Sequence, residues 1–183
     1  TILGGKELDI VIPLKRVAIE YNGLYWHSNA VVDNRYHENK RKQCEQLGIR
    51  LVQIWEDDWV GKQDVVKQFL MNLLGVRSVK YNARSCSVIF VSTTEADEFY
   101  DYHHMQGGRG FYTFSIALKH EDIIISCMSF IKRDDDVIEL IRFANKGARG
   151  AFSKLLHHAS NECRQRGYTT IISFADLEIV DPW

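Results

Sequence analysis

Two short runs of alternating character, ELDIVIP at Glu7–Pro13 and VAIEYNG at Val17–Gly23, stand a three-residue turn apart and constrain the chain more than any other feature. A side-chain period of two belongs to β-structure. On the first run Leu8, Ile10 and Ile12 share one face and Glu7, Asp9 and Val11 the other; on the second, Val17, Ile19 and Tyr21 oppose Ala18, Glu20 and Asn22. Strands this close, joined at Leu14-Lys15-Arg16, fold back as a hairpin. Pairing then brings Asp9 and Glu20 near one another on one sheet face, where carboxylates repel. Two readings account for that. Either the acids are solvated on an open face, or a hard divalent cation bridges them, since Mg²⁺ takes one or two carboxylates and leaves the rest of its shell to water and phosphate. Asn22 shares their face and can orient a water or a phosphate oxygen but cannot act as a base.

Beyond the hairpin, Asp33–Leu47 carries strong helix formers and stops at Gly48. A buried strand at Arg50–Trp55 follows, then a second helix opening near Asp57 or Asp58 and running to Gly75. The GVRSVKYN stretch breaks the helical pattern, which places a boundary near 75–82 and two modules at 1–78 and 79–183. The second reads as strand (Ser87–Val91), helix opened by Thr94 (about Glu95–Met105), three strands (Phe111–Leu118, Ile123–Phe130, Val137–Phe143), helix (about Gly150–Arg166) and strand (Thr169–Phe174). The fold class expected is α/β.

Composition narrows the function classes. With 183 residues, 45% hydrophobic and 26% charged, the chain can bury a core without staples. It has no apolar run long enough to span a membrane and no signal-peptide succession, so a cytoplasmic compartment and no membrane partner are expected. The cysteines Cys44, Cys86, Cys127 and Cys163 are widely spaced, without the pairing that grips zinc, and read as reduced, mostly buried thiols. A net charge of -1 carries no advertisement of nucleic acid. The chain opens on Thr1 and ends on Asp181-Pro182-Trp183, which reads as a fragment or processed product.

The ordered blocks ELDIVIP, VAIEYNG, YWH, YHENKRKQC and GIRLVQIWEDDW resemble the nuclease module of phage and mobile-element homing endonucleases related to the PD-(D/E)xK superfamily and to very-short-patch-repair endonucleases. The resemblance covers roughly residues 5–75. It implies a restriction-endonuclease-like core in which Asp9 is the motif aspartate, Glu20 the second metal-binding acid and His27 a residue beside the attacking water, with His37 and Lys40 facing the site from the helix. Asn22 stands where the superfamily has a lysine, and Lys40, one helical turn from His37, could supply that charge. The activity implied is a Mg²⁺-dependent (or Mn²⁺-dependent) endodeoxyribonuclease acting on double-stranded DNA, in the host cytoplasm for a phage-encoded chain. The metal would polarise the phosphate and lower the pKa of a bound water. Lys40, Arg41 and Lys42 would touch DNA phosphates; as a charged run they equally fit a solvated helix face.

The element order of residues 86–175 resembles a GNAT-type acyltransferase, whose loop ahead of the helix after the central strands binds acyl-CoA pyrophosphate through backbone N–H groups. That loop would be Asn145–Gly150, although the family's R-x-x-G-x-G/A spacing is not met in any register. Similar segments, among them DYHHMQGGRG and ELIRFANK, resemble a domain that accompanies the phage nucleases. The second module is therefore expected to be an accessory or DNA-binding unit contacting phosphate through Arg109, Arg142, Lys146, Arg149 and Lys154. The alternative is an acyltransferase or acyl-CoA-binding protein whose first module only docks DNA.

Overall fold

The computed structural model describes residues 7–23, 34–76 and 80–174. The chain forms two compact units, the first extending to Val66 and the second covering Lys67–Phe174.

In the first unit, β1 (Ile10–Ile12) and β2 (Val17–Asn22) pair antiparallel, with Val11 opposite Ala18 and Ile12 opposite Val17. The hairpin is closed by a 3-10 turn at Pro13–Lys15, and Arg16 takes a left-handed φ of 52° to leave it. Helix α1 (Asn34–Gln46) then crosses over to β3 (Arg50–Trp55), which lies parallel to β2 from Val17/Arg50 to Asn22/Trp55. A parallel neighbour needs such a crossover, so the hairpin and the helix together dictate the order β1-β2-β3. Ala18, Leu51 and Cys44 form the core beneath α1, with Leu8, Val11 and Ile49 packed against them.

The long second helix expected after Trp55 is two: α2 (Glu56–Gly61) and α3 (Gln63–Leu73). Lys62 separates them at φ -137°, ψ 39°. Gly61, a poor residue for a helix interior, sits at the break.

In the second unit, β4 (Tyr81–Asn82) precedes β5 (Ser87–Val91), α4 (Thr93–His103), β6 (Phe114–His120), β7 (Ile123–Lys132) and β8 (Val137–Asn145). Strands β5 to β8 form an antiparallel meander. After β9 (Ala148–Arg149), α5 (Ala151–Gln165) returns the chain to β10 (Thr170–Ser173), parallel to β8, giving the order β10-β8-β7-β6-β5. The sheet is covered on both faces. Leu155, Ala159 and Cys163, four residues apart along α5, pack with Phe114, Ile116, Leu118, Met128 and Phe130. Ala96, Phe99 and Tyr100 of α4 pack with Ala117, Cys127 and Ala144 on the opposite face. Alternation along β6, Phe-Ser-Ile-Ala-Leu, sorts its side chains between the two.

Helix α4 starts earlier than Thr94 suggests. Ser92 accepts from the Glu95 N–H and the Glu95 carboxylate accepts from the Ser92 N–H, a reciprocal cap that opens the helix at Thr93. No helix among the described residues is long and apolar enough to cross a membrane.

Candidate functional site

The hairpin does bring Asp9 and Glu20 together, one register step beyond the Ile10/Ile19 pair and on the face turned to α1. Glu20 Oε1 accepts from the Asp9 N–H at 3.2 Å, and Asp9 Oδ2 accepts from the Tyr21 N–H at 2.8 Å. From α1, Lys40 Nζ reaches Glu20 Oε2 at 2.6 Å, with both side chains nearly buried. Asn22 Nδ2 donates to Gln53 Oε1 at 3.1 Å, so the amide is held by β3. His37 lies one turn before Lys40, its ring centroid 5.4 Å from that of Trp55 in a tilted contact. Cys44, one turn after Lys40, is buried and its thiol is pushed up by that burial. Arg41 and Lys42 point away, each paired along the helix with Glu45 or Glu38. His27 lies outside the described residues.

This arrangement corrects the metal expectation. Glu20 was expected to repel Asp9 until Mg²⁺ or Mn²⁺ bridged them, but Lys40 neutralises it and main-chain N–H groups satisfy the rest. Among the described residues no three His, Cys, Asp or Glu side chains gather into a set that could hold a cation. Glu20 is thus one half of a nearly buried ion pair with Lys40, and Asp9 is an exposed acceptor for the Tyr21 N–H.

In the second unit the residues expected to meet phosphate are scattered. Lys154 is turned inward, its ammonium donating to the carbonyls of Ala83 at 2.9 Å and Cys86 at 2.6 Å. Lys146 and Arg149 flank the turn into α5. That turn is built by Asn145, whose Oδ1 accepts from the Gly147 and Ala148 N–H groups while its Nδ2 donates to Ala148 O. Gly147 and Gly150 take φ of 122° and 78°, a region that suits glycine. Gly150 caps α5 without a side-chain acceptor, and the first turn of the helix carries no acid.

Sequence reasoning missed a polar cluster on the α4 face. The Tyr100 hydroxyl lies 2.7 Å from Ser129 Oγ, which lies 2.7 Å from Ser115 Oγ, all three residues buried. Burial raises the Tyr100 phenol well above its ordinary range and pushes the Cys127 thiol up to about 11. Beside them, Asp97 accepts from the Arg109 and Gly110 N–H groups and from the Tyr112 hydroxyl, and Asp101 from the Gly108 N–H. The GGRG block at 107–110 was visible in the sequence, but nothing there said that two carboxylates one helical turn apart would clasp it.

No protein-family model and no curated protein matches the chain. Among solved structures it is similar to an IAA acetyltransferase from Bacillus cereus ATCC 14579, at 16% identity over 48% of this chain and 63% of that one, TM-score 0.38. It is also similar to a GNAT family acetyltransferase from Elizabethkingia anophelis with acetyl-CoA bound, at 16% identity over 49% and 64%, TM-score 0.35. The chain thus spans less than two thirds of either protein. At these scores the likeness by itself assigns no activity.

The expectation of a metal-dependent endodeoxyribonuclease, a hydrolase of the homing-endonuclease kind, is corrected on the geometry: Glu20 is paired with Lys40, and among the described residues no set of three metal-ligating side chains forms. The first unit is a mixed α/β unit, and a restriction-endonuclease-like core is not shown.

Proposed function

We propose that the second unit binds an acyl-CoA and presents its acyl group to an acceptor, the acyltransferase alternative raised by the element order. The observation that carries this reading is the end of β8: past its parallel pairing with β10, which runs from Val137 to Leu140, the strand continues to Asn145 and delivers the chain to a glycine-bounded turn at the N-terminus of α5.

The same strand leads into the Asn145–Gly150 turn and the N-terminus of α5, whose dipole and uncapped end favour a diphosphate. Arg149 is exposed at that turn and supplies charge, whereas Lys154 is held by carbonyls. The missing R-x-x-G-x-G/A spacing leaves the grip to glycine geometry and the helix end.

Calorimetric titration of the full chain with acetyl-CoA tests the reading. Binding is expected, weakened about tenfold or more by Arg149→Glu, since charge-assisted contacts contribute roughly 1.5–3 kcal/mol. No heat of binding at millimolar acetyl-CoA, in a protein that melts cooperatively, overturns it.

A further inference from the structure

The outer edge of β5 carries none of the devices that keep a sheet edge from pairing. The strand stands last in the order β10-β8-β7-β6-β5, so no other strand of the described residues pairs with its far side. Its sequence, Ser-Val-Ile-Phe-Val, holds no charge and no proline. Its register with β6 runs without a shift from Ser87/Lys119 to Val91/Ser115, whereas the ladders of β6 with β7 and of β7 with β8 each slip once. Sheet edges are ordinarily blunted by lysine, proline, bulges or very short strands, because a row of unpaired N–H and C=O groups is a template for another strand.

Three of the strand's apolar side chains belong to the protein's own cores. Ile89 and Val91 pack toward the α4 cluster and Val88 toward the α5 cluster. Phe90 is the exception: its ring lies 6.4 Å from that of Phe114 yet remains 59% exposed. An aromatic ring thus stands in solvent beside the open edge, on the same face as the smaller Val88.

The chemistry of the strand favours a second copy of itself as the occupant. Laid antiparallel about a two-fold axis at Ile89, two β5 strands set Ile89 opposite Ile89, Val88 opposite Phe90 and Ser87 opposite Val91. Each large Phe90 ring then meets the smaller Val88 of the other copy, and the contact repeats identically on both sides, as an isologous interface requires. Charge agrees. Exposed Arg84 lies just before the strand and exposed Glu95 just after it, so this arrangement brings the basic end of one copy to the acidic end of the other, whereas a parallel one would set like against like. We propose that β5 is a self-association edge, through which two copies of the chain join their five-stranded sheets into one continuous sheet. The contact stands whether or not acetyl-CoA binds.

Sedimentation equilibrium of the full chain tests it, over about 1 μM to 1 mM because an interface of this size is weak. The average mass is expected to climb with concentration toward that of a dimer. Phe90→Lys, at an exposed side chain, should weaken the association about tenfold or more, since it removes two apolar contacts and charges the edge. It should leave the melting temperature of the dilute, monomeric chain unchanged. Arg84→Glu, outside the sheet, should weaken the association about threefold at low salt, and keeps the test decisive if Phe90→Lys does not fold. Ile89→Cys reads the register: mild oxidation should join two copies covalently, whereas Phe90→Cys, opposite Val88, should not cross-link. The proposal is overturned if the chain stays monomeric throughout, if neither Phe90→Lys nor Arg84→Glu weakens the dimer, or if Phe90→Cys cross-links as readily as Ile89→Cys.

Discussion

Gly108 lies so close to Asp97 that a Cβ on the glycine would fall 2.5 Å from Asp97 Oδ1 and 2.7 Å from Asp97 Cβ. The aspartate cannot swing aside freely, because its oxygens hold the Arg109 and Gly110 N–H groups at 2.8 and 2.9 Å and the Tyr112 hydroxyl at 2.7 Å. Gly108→Ala is therefore expected to cost about 1–3 kcal/mol by overpacking, measured as a drop in denaturant midpoint. Gly110 has open space around a Cβ and suffers only from its φ of 79°, so Gly110→Ala should cost about 1 kcal/mol. Equal costs at the two positions would mean that Asp97 is not clamped.

In the first unit the ion pair of Lys40 and Glu20 is the other sensitive point. Removing the lysine strands a nearly buried carboxylate, and Lys40→Met should destabilise by about 3 kcal/mol. Glu20→Gln combined with Lys40→Met should recover much of that loss, because it removes the stranded charge. Equilibrium unfolding of the single and double variants reads the coupling directly.

The cap of α4 carries a pH signature. Hydrogen bonds from Ser92 outweigh desolvation, with the Lys119 charge a lesser help, and hold the Glu95 carboxyl below its ordinary value of 4.5. A lowered folded-state pKa means the contribution is complete above pH 4.5 and is lost as pH falls through the lowered value. Ser92→Ala should cost about 1 kcal/mol at pH 7 and flatten that acid limb.

All four cysteines are buried, and the thiols of Cys127 and Cys163 are pushed up to about 11 by burial. At pH 8 a thiol reagent should label the native chain slower, on the order of 10²-fold, than the chain in denaturant. Fast labelling of a native thiol would identify a cysteine that the fold does not cover.

Much of the architecture was legible in the sequence because period and punctuation act locally. The β1–β2 hairpin, α1 ending at Gly48, and the strand and helix succession from Ser87 to Phe174 follow from alternation and glycine stops. The Asp9–Glu20 neighbourhood was legible too, since a hairpin register places them. Lys40 was expected to face this site, but that its ammonium would pair directly with Glu20 was not legible, because side-chain reach across twenty residues of chain is not written in local spacing. A bulge in β8 at Ile141, between Phe130/Leu140 and Ser129/Arg142, was equally hidden, because ELIRFAN alternates acceptably as written and only pairing with β7 exposes the extra residue. Long-range partners, not local propensity, separate an expected site from the one that forms.

The two-residue ladder of β4 with β9 has a consequence in time. Tyr81 lies beside Ala148, and Lys80 and Tyr81 both donate to Gly147 O, so the segment leading into β5 is tied to the turn ahead of α5. During synthesis the strands at 10–55 can pair while this later segment is still being made, whereas the β4–β9 ladder must wait for residues 147–149 to emerge. Closing so long a loop costs chain entropy before any contact repays it. The second unit thus stays open at one end until late, and its meander from Ser87 to Asn145 is the part able to form first.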